Sequence, residues 1–516
     1  MSSLFQQLNA AFNGVPSVED ETDVNLRPGE DETDTTVVET TETPAAPPEA
    51  TTDQAEAPAE TNVEGVDSAE VVEADVLTAT PEAETSADSV ETALIETAEA
   101  NQPVEALTQG VDEAVEVVEA VEALVTALES TLETGGIDGK ARTMMAFAIE
   151  SYAQRLGTTF TGSKVAAVEA FEDVNSRYDA TVASIEDIQG FLSNVGKGIT
   201  EAAYRIFDGI RNTIGTWVTT QDKMIARAKA IQAALKELKA DEINKEVVEV
   251  ADKYARAFWF EGKVQSPAAC AKRNLEVLDL VAKNWDVKEI MDSVNSAAKA
   301  LVPYFKGEDV DGNVKELKLI KPLFTQKAED KYLNYFQGKA RKAVANEWFA
   351  DFYQSKELPG GKIFLETAIK VDAKTTDSVS WQFRPRGAIA LFDVPGYNEA
   401  NGTPVKVATP GDLKMITDLV IKTCEAMKEI LRKMDDFAKQ KATVEAEFKA
   451  AYKAAEESNR KGMRKPIMVV SKGIIDIAKF AKQVNDHAMK STKNILDYCE
   501  TSLRHISKGV FTKAQV

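Results

Sequence analysis

Three kinds of residue in this chain have types and spacings that could do chemistry. LPGGKIF, residues 358–364, contains the Gly-Lys pair of a phosphate-binding loop. Such a loop cradles phosphate oxygens with backbone N–H groups. It needs a glycine five residues before the Gly-Lys glycine and a Ser or Thr after the lysine. Lys356 and Ile363 stand at those positions. GEDVDGNVKE, residues 307–316, sets acids ahead of a glycine as a calcium loop does. Counting back from Gly312, however, puts Gly307 where the first aspartate ligand belongs. His487 and His505 are the only histidines and have no local partner, so both read as solvated residues of a polar helical stretch. Cys270, Cys424 and Cys499 are far apart and form no CxxC pair. They read as small core residues of a protein kept in a reducing compartment. No catalytic residue, metal site or cofactor is expected.

Charge is the stronger signal. The net charge is −24, and it is unevenly spread. Residues 1–133 hold 33 Asp/Glu and one cation, Arg27, a net of −32. The remainder has 59 Lys/Arg and 51 Asp/Glu, a net of +8. That whole excess falls in 460–516, with twelve cations and four acids. Arg460, Lys461, Arg464, Lys465, Lys472, Lys479 and Lys482 are therefore the candidates for contact with a polyanion, or else the solvated face of a helix.

Elements must position these residues. The N-terminus, MSSLFQQLNAAFNGVP, lacks the basic and apolar regions of a secretory signal, and no stretch reaches the length of a membrane span. No membrane partner is expected, and synthesis in the cytoplasm is. Leu4, Phe5, Leu8 and Phe12 have helical spacing, either a small tag or a frayed end. The low-complexity Glu/Thr/Ala/Val/Pro stretch that follows completes an acidic leader, 1–103, predicted to be disordered, because it cannot bury enough apolar surface to offset its ordering entropy. In 104–133, Leu107, Val111, Ala114, Val118, Val121, Val125, Leu128 and Leu132 alternate steps of four and three. That is a heptad seam, suited either to lying on the main body or to association with itself or a partner. TGGIDG, 134–139, ends the helix.

Residues 134–302 read as a helical body. Met144, Phe147, Ala148 and Tyr152 lie on one apolar face, and 184–240 reads as two or three helices interrupted by glycines. Trp217, Phe258, Trp259, Phe260 and Trp285 are expected in the core. Residues 303–410 read as mixed, with strands at 361–371 and 378–387 in a small antiparallel sheet and a loop at ALFDVPGYNEANGTP. Thr409-Pro-Gly-Asp412 is a helix start, opening a long antiparallel helical hairpin over 411–516 whose second arm is basic. The fold class is thus mainly α with a small β insertion.

The order of parts resembles the internal head, or inner-body, proteins of giant tailed bacteriophages. The likeness runs through the acidic Thr/Glu/Ala-rich leader, GGIDGKARTMMAFAIESYAQRLG, a helical body, the LPGGKIF…DVPGYN region and a terminal helical pair. It implies a structural virion protein located inside the capsid. Its propeptide would be removed by the prohead protease, which cuts after Glu with a small residue two positions earlier. Ala127-Leu-Glu129 fits that pattern beside the linker, with Glu133, Glu122 and Glu150 as alternatives. The implied partners are that protease, other head proteins or further copies of the chain, and packaged DNA bound without sequence preference. The leader would screen the body from DNA and would be dispensable for its fold. A scaffold of the prohead core and an injected host-acting effector remain the alternatives.

Overall fold

The computed structural model describes residues 87–137, 139–157, 160, 174–239, 249–250, 254–307, 321–332, 350–369, 389–395, 397, 405–457 and 465–507. Residues 4–12, the rest of the leader before Ala87, the calcium-like stretch after Gly307 and the expected strand at 378–387 lie outside them.

Eight helices carry the described fold: α1 (Ala87–Leu132), α2 (Gly139–Arg155), α3 (Val174–Glu237), α4 (Pro267–Asn284), α5 (Val287–Phe305), α6 (Pro410–Ala438), α7 (Lys441–Glu457) and α8 (Lys465–Ile506). The axis is α3. Its 64 residues form one helix, about 96 Å long at 1.5 Å per residue, where the glycines had suggested interruptions. Tertiary contact explains the difference. At Gly209 an added Cβ would sit 3.0 Å from Cγ2 of Val104 in α1, so the missing side chain is what lets the two helices approach. A glycine inside a helix costs about 1 kcal/mol relative to alanine, which packing along several sides readily offsets.

Side-chain pairs give the directions of the long helices. Thr97 of α1 meets Thr220 of α3 at 2.8 Å, and Asn101 accepts from Trp217 Nε1 at 2.7 Å, so α1 runs antiparallel to α3. Phe437 stacks on Phe207, Lys428 pairs with Asp222, and Gln232 donates to Asp418. The arm α6–α7 therefore also runs antiparallel to α3. Thr200 contacts Ser471, while Arg227 binds Asp497 and Glu500, which makes α8 parallel to α3. The expected C-terminal hairpin is present, but its first arm is divided between α6 and α7 by a turn at Lys439–Gln440. Thr409 caps α6 in a full capping box with Asp412, with Pro410 in the first turn. Lys433 donates to the carbonyls of Ala282 and Trp285, binding α6 to the C-terminal end of α4.

The β structure is small and antiparallel. The main sheet has order β4-β5-β6-β7, with β4 Gln326–Lys327, β5 Ala350–Gln354, β6 Lys362–Ile369 and β7 Ile389–Asp393. Two-residue pairs join β1 (Glu249–Val250) to β8 (Val405–Lys406) and β2 (Trp259–Phe260) to β3 (Lys263–Val264). Strand β7 occupies residues that had read as loop. Only Ile389 on it is fully buried, so its alternation is faint, and pairing with β6 holds it extended. The aromatic expectations hold: Trp217, Phe258, Trp259, Phe260 and Trp285 are all buried.

The α3 assignment can be tested at two glycines. Gly190 is on an exposed side, with open space where a Cβ would stand. Gly190→Ala should raise the stability of the full chain by about 0.5–1 kcal/mol. Gly209→Ala should lower it by pressing a methyl on Val104. Urea midpoints read both, and no gain at Gly190 would mean that the helix is broken there.

Candidate functional site

The leader's helix and the basic arm meet. Helix α1 begins at Ala87, inside the segment that composition had marked as disordered. It continues through Pro103, which lacks an N–H and clashes with the preceding turn. The sequence places the start at 104, just after this proline, where the low-complexity composition gives way to heptad spacing. What holds the helix together there is tertiary: Asn101 binds both Trp217 and Asp486, and Val104 is fully buried against α3.

The heptad seam is intramolecular. Val90, Val104, Leu107, Val111, Val117, Val118, Val121, Val125 and Leu128 are buried, and all but Val90 belong to one core cluster with α3 and α8; Leu132 packs at its edge. Of the two uses the sequence left open, lying on the body is the one adopted. Burying a valine or leucine stabilises by roughly 1.5–3 kcal/mol, an upper bound because unfolded chains already bury some surface. Nine such residues make this a wall of the core. The leader thus contributes a helix to the core, where composition had suggested a segment apart from the fold.

Over the seam lies an ionic row. Asp112 of α1 sits between Lys472 and Lys479 of α8, 3.0 Å from Lys472 Nζ and in direct contact with Lys479. Glu105, two turns earlier on α1, is 3.2 Å from Lys482. Asp476 and Asp486 complete the coordination of Lys472 and Lys482 from α8 itself, at 3.0 and 2.8 Å. Burial pushes the Asp112 carboxyl up, but the two lysines outweigh it and hold it below the usual carboxylate range. Burial pulls Lys472 and Lys482 down, and their carboxylate partners more than reverse it. Asp486 is raised, because its burial exceeds the help from Lys482. Partly exposed ion pairs contribute roughly 0–1 kcal/mol each. The apolar seam binds α1, and the charges set its register.

The seven candidate cations are thus divided. Lys472, Lys479 and Lys482 are half-buried and engaged, Lys465 is the first residue of α8, and Arg460, Lys461 and Arg464 lie outside the described residues. The candidate processing residues are also separated by structure. Glu122 is half-buried within α1, Glu129 is exposed but still helical, and Glu150 is exposed on α2. Glu133 is exposed in the turn after α1. That turn closes the helix by hydrogen bonds from Gly135 N to Leu132 O and from Gly136 N to Thr131 O, with φ near +90° at both glycines. A Cβ on Gly136 would stand 2.7 Å from Arg177 O. The linker is pinned to the start of α3, where Ile137 N also donates to Thr181 Oγ1.

Elsewhere the chemical-looking residues serve the fold. In LPGGKIF, Leu358 N donates to Lys362 O, Gly361 N donates to Trp259 O, and a Cβ on Gly361 would strike the Tyr397 ring, so this is a tight turn into β6. Beside it is a polar cleft containing Glu357, whose two oxygens accept from Tyr332 and from Glu261 N and tie the β2–β3 hairpin to the sheet. Cys270, Cys424 and Cys499 are buried and free, and burial pushes every thiol up. His505 is exposed, but His487, expected on the surface, is buried where α8 faces the sheet. On α2, Met144 and Phe147 of the expected face are exposed, while Tyr152 of that face packs against the core and Arg142, Ile149 and Ala153 are buried. Among the described residues there is no cluster of metal-binding side chains and no helix long and apolar enough to cross a membrane.

A mainly helical body whose acidic N-terminal helix is folded onto a basic C-terminal one is the arrangement to be placed among known proteins. The family of phiKZ-like phage internal head proteins matches residues 56–501, and the chain belongs to that family. It is a structural protein of the phage head interior. No curated protein and no solved structure matches it.

Acid should loosen the molecule in two steps. Burial, with Lys362 and Lys490 nearby, lowers His487 to about 4, so its neutral form is the folded one. Its contribution, roughly 3 kcal/mol, is complete above about pH 6.5 and is lost as the pH falls towards 4. The Asp112 contribution is present above the ordinary carboxylate range and lost below it. His487→Gln should flatten the upper part of the stability–pH curve, and Asp112→Asn the lower part, as read by denaturant unfolding at pH 7, 5.5, 4 and 3.

Proposed function

We propose that the chain is made in the host cytoplasm as a precursor and that the prohead protease cuts it at the end of α1, after Glu129, or in the turn just beyond, after Glu133. The body then packs in the head interior with DNA, without sequence preference, and with other head proteins. One observation supports this most: Glu105 and Asp112 of the leader's helix occupy Lys472, Lys479 and Lys482 of α8. A lysine held between carboxylates cannot take a place in the counterion atmosphere of DNA, so the leader acts as an internal substitute for phosphate. Glu129 fits the small-x-Glu pattern. Glu133 departs slightly from it, yet its bond lies in an exposed turn, whereas the bond after Glu129 lies within a helix that must first be unwound.

Sequencing the N-terminus of the protein extracted from mature heads tests the cut. Once the chains are separated in denaturant, the one that carries the body should begin at Ser130 or Thr134, and a body still joined to the leader would refute processing. The masking is tested separately. Full chain carrying Glu105→Gln and Asp112→Asn should bind random duplex DNA more tightly at low salt than the unaltered chain. Its log–log salt dependence should be steeper by about 0.9 per phosphate newly contacted. Identical curves for the two chains would leave the ionic row without this role.

A further inference from the structure

The seam and the ionic row together answer a question that processing raises: where the leader's helix goes once the chain is cut. We infer that α1 stays seated on α3 and α8 after cleavage at its C-terminal end or in the turn beyond, so that the processed protein is a two-chain complex with a leader fragment as its second chain. The inference rests on the reading that the chain is cut there.

Three features carry it. First, no contact that holds α1 depends on the linker. The seam runs from Val104 to Leu128, and the polar contacts of Thr97, Asn101, Glu105 and Asp112 all fall before Glu129. A cut after Glu133 removes none of them, and one after Glu129 parts α1 only from Leu132 at the seam's edge. Second, the groove left by a departing α1 would be costly to expose. Val104 lies against Gly209, Trp217 would lose Asn101 Oδ1, the acceptor of its indole N–H, and Thr220 would lose Thr97 Oγ1 while keeping Thr216 O. Water could replace those polar partners, but the apolar wall that α1 covers would lose its burial energy. Third, the cut ends are anchored independently. Gly136 and Ile137 pack on Arg177 and Thr181 of α3, so the new N-terminus of the body does not need α1 to hold it.

Processing in the linker alone then leaves the charge of the complex unchanged. Residues 87–133 contain twelve acids and no cation, and they stay over the lysines of α8. The change from −24 towards +8 requires a competitor that displaces α1, or further cuts that trim the acidic tail before Ala87 while α1 remains. The leader helix is thus a resident masking subunit rather than a discarded wrapper.

The test uses the full chain with a recognition site for a sequence-specific protease inserted between Glu133 and Thr134, so its result does not depend on whether the phage enzyme cuts there. After complete cleavage, size exclusion with light scattering at neutral pH should give one species of undiminished mass with unchanged helical circular dichroism. It should persist in 1 M NaCl, because the seam and not the charges holds it, and separate only in denaturant. The Glu105→Gln, Asp112→Asn variant should keep its fragment as well. Release of the 1–133 fragment under native conditions, from either form, would overturn the inference. If the natural cut is absent from mature heads but this complex survives engineered cleavage, the processing reading fails and the retention of α1 stands.

Discussion

Helix α3 is apolar on too many sides to stand alone. Ile188, Leu192, Ile199, Ala203, Ile206, Phe207, Ile210, Ile214 and Trp217 are all buried along it, and no single partner could cover them. Three layers do so: α6 with α7, then α8, and finally α1 from the leader. This need for cover accounts for features that composition alone would not allow. It draws a helix out of a glutamate-rich segment, carries that helix through a proline, and gains closer approach at Gly196 and Gly209 inside a 64-residue helix.

The covering helices are aligned by a line of buried polar pairs. Thr97 with Thr220, Asn101 with Trp217, Gln221 with Asn485, Asn274 with Ser491, and Arg227 with Asp497 and Glu500 are spaced along the bundle. Arg227 is held charged in the core, because the carboxylates of Glu500 and Asp497 outweigh its desolvation. Seams of valine and isoleucine can slide past one another with little penalty; a slipped helix would leave these groups unpaired, so register is set by polar satisfaction while apolar burial supplies the binding. The ionic row between α1 and α8 extends the same logic to the surface, and there it also occupies cations that a polyanion would otherwise find.

What could be read in the sequence was local. The Thr409 cap announces itself through Pro410 and Asp412, the α1 seam through its alternating spacing, and the buried tryptophans and cysteines through residue type. The membership in an internal head family was legible from the order of parts. What could not be read depends on contacts distant in sequence. Nothing near Pro103 tells of Asn101 reaching Trp217 and Asp486. Nothing near His487 tells that it is buried, and a lysine at 472 or 479 looks like a solvated one until Asp112 is placed between them. Helix α2 misled for a related reason: its apolar residues Met144 and Phe147 face outward, while a buried arginine, Arg142, lies on the inner side.

The central claim is that the leader's helix is part of the core of the body. Amide hydrogen exchange on the intact chain at neutral pH tests it most directly, because exchange reports the free energy of opening segment by segment. Amides of 104–128 should exchange as slowly as those of 199–217 in α3, since one cannot open without exposing the other. Rapid exchange across 104–128 beside a protected α3 would contradict the account and return the leader to the role of a detachable, unstructured tail.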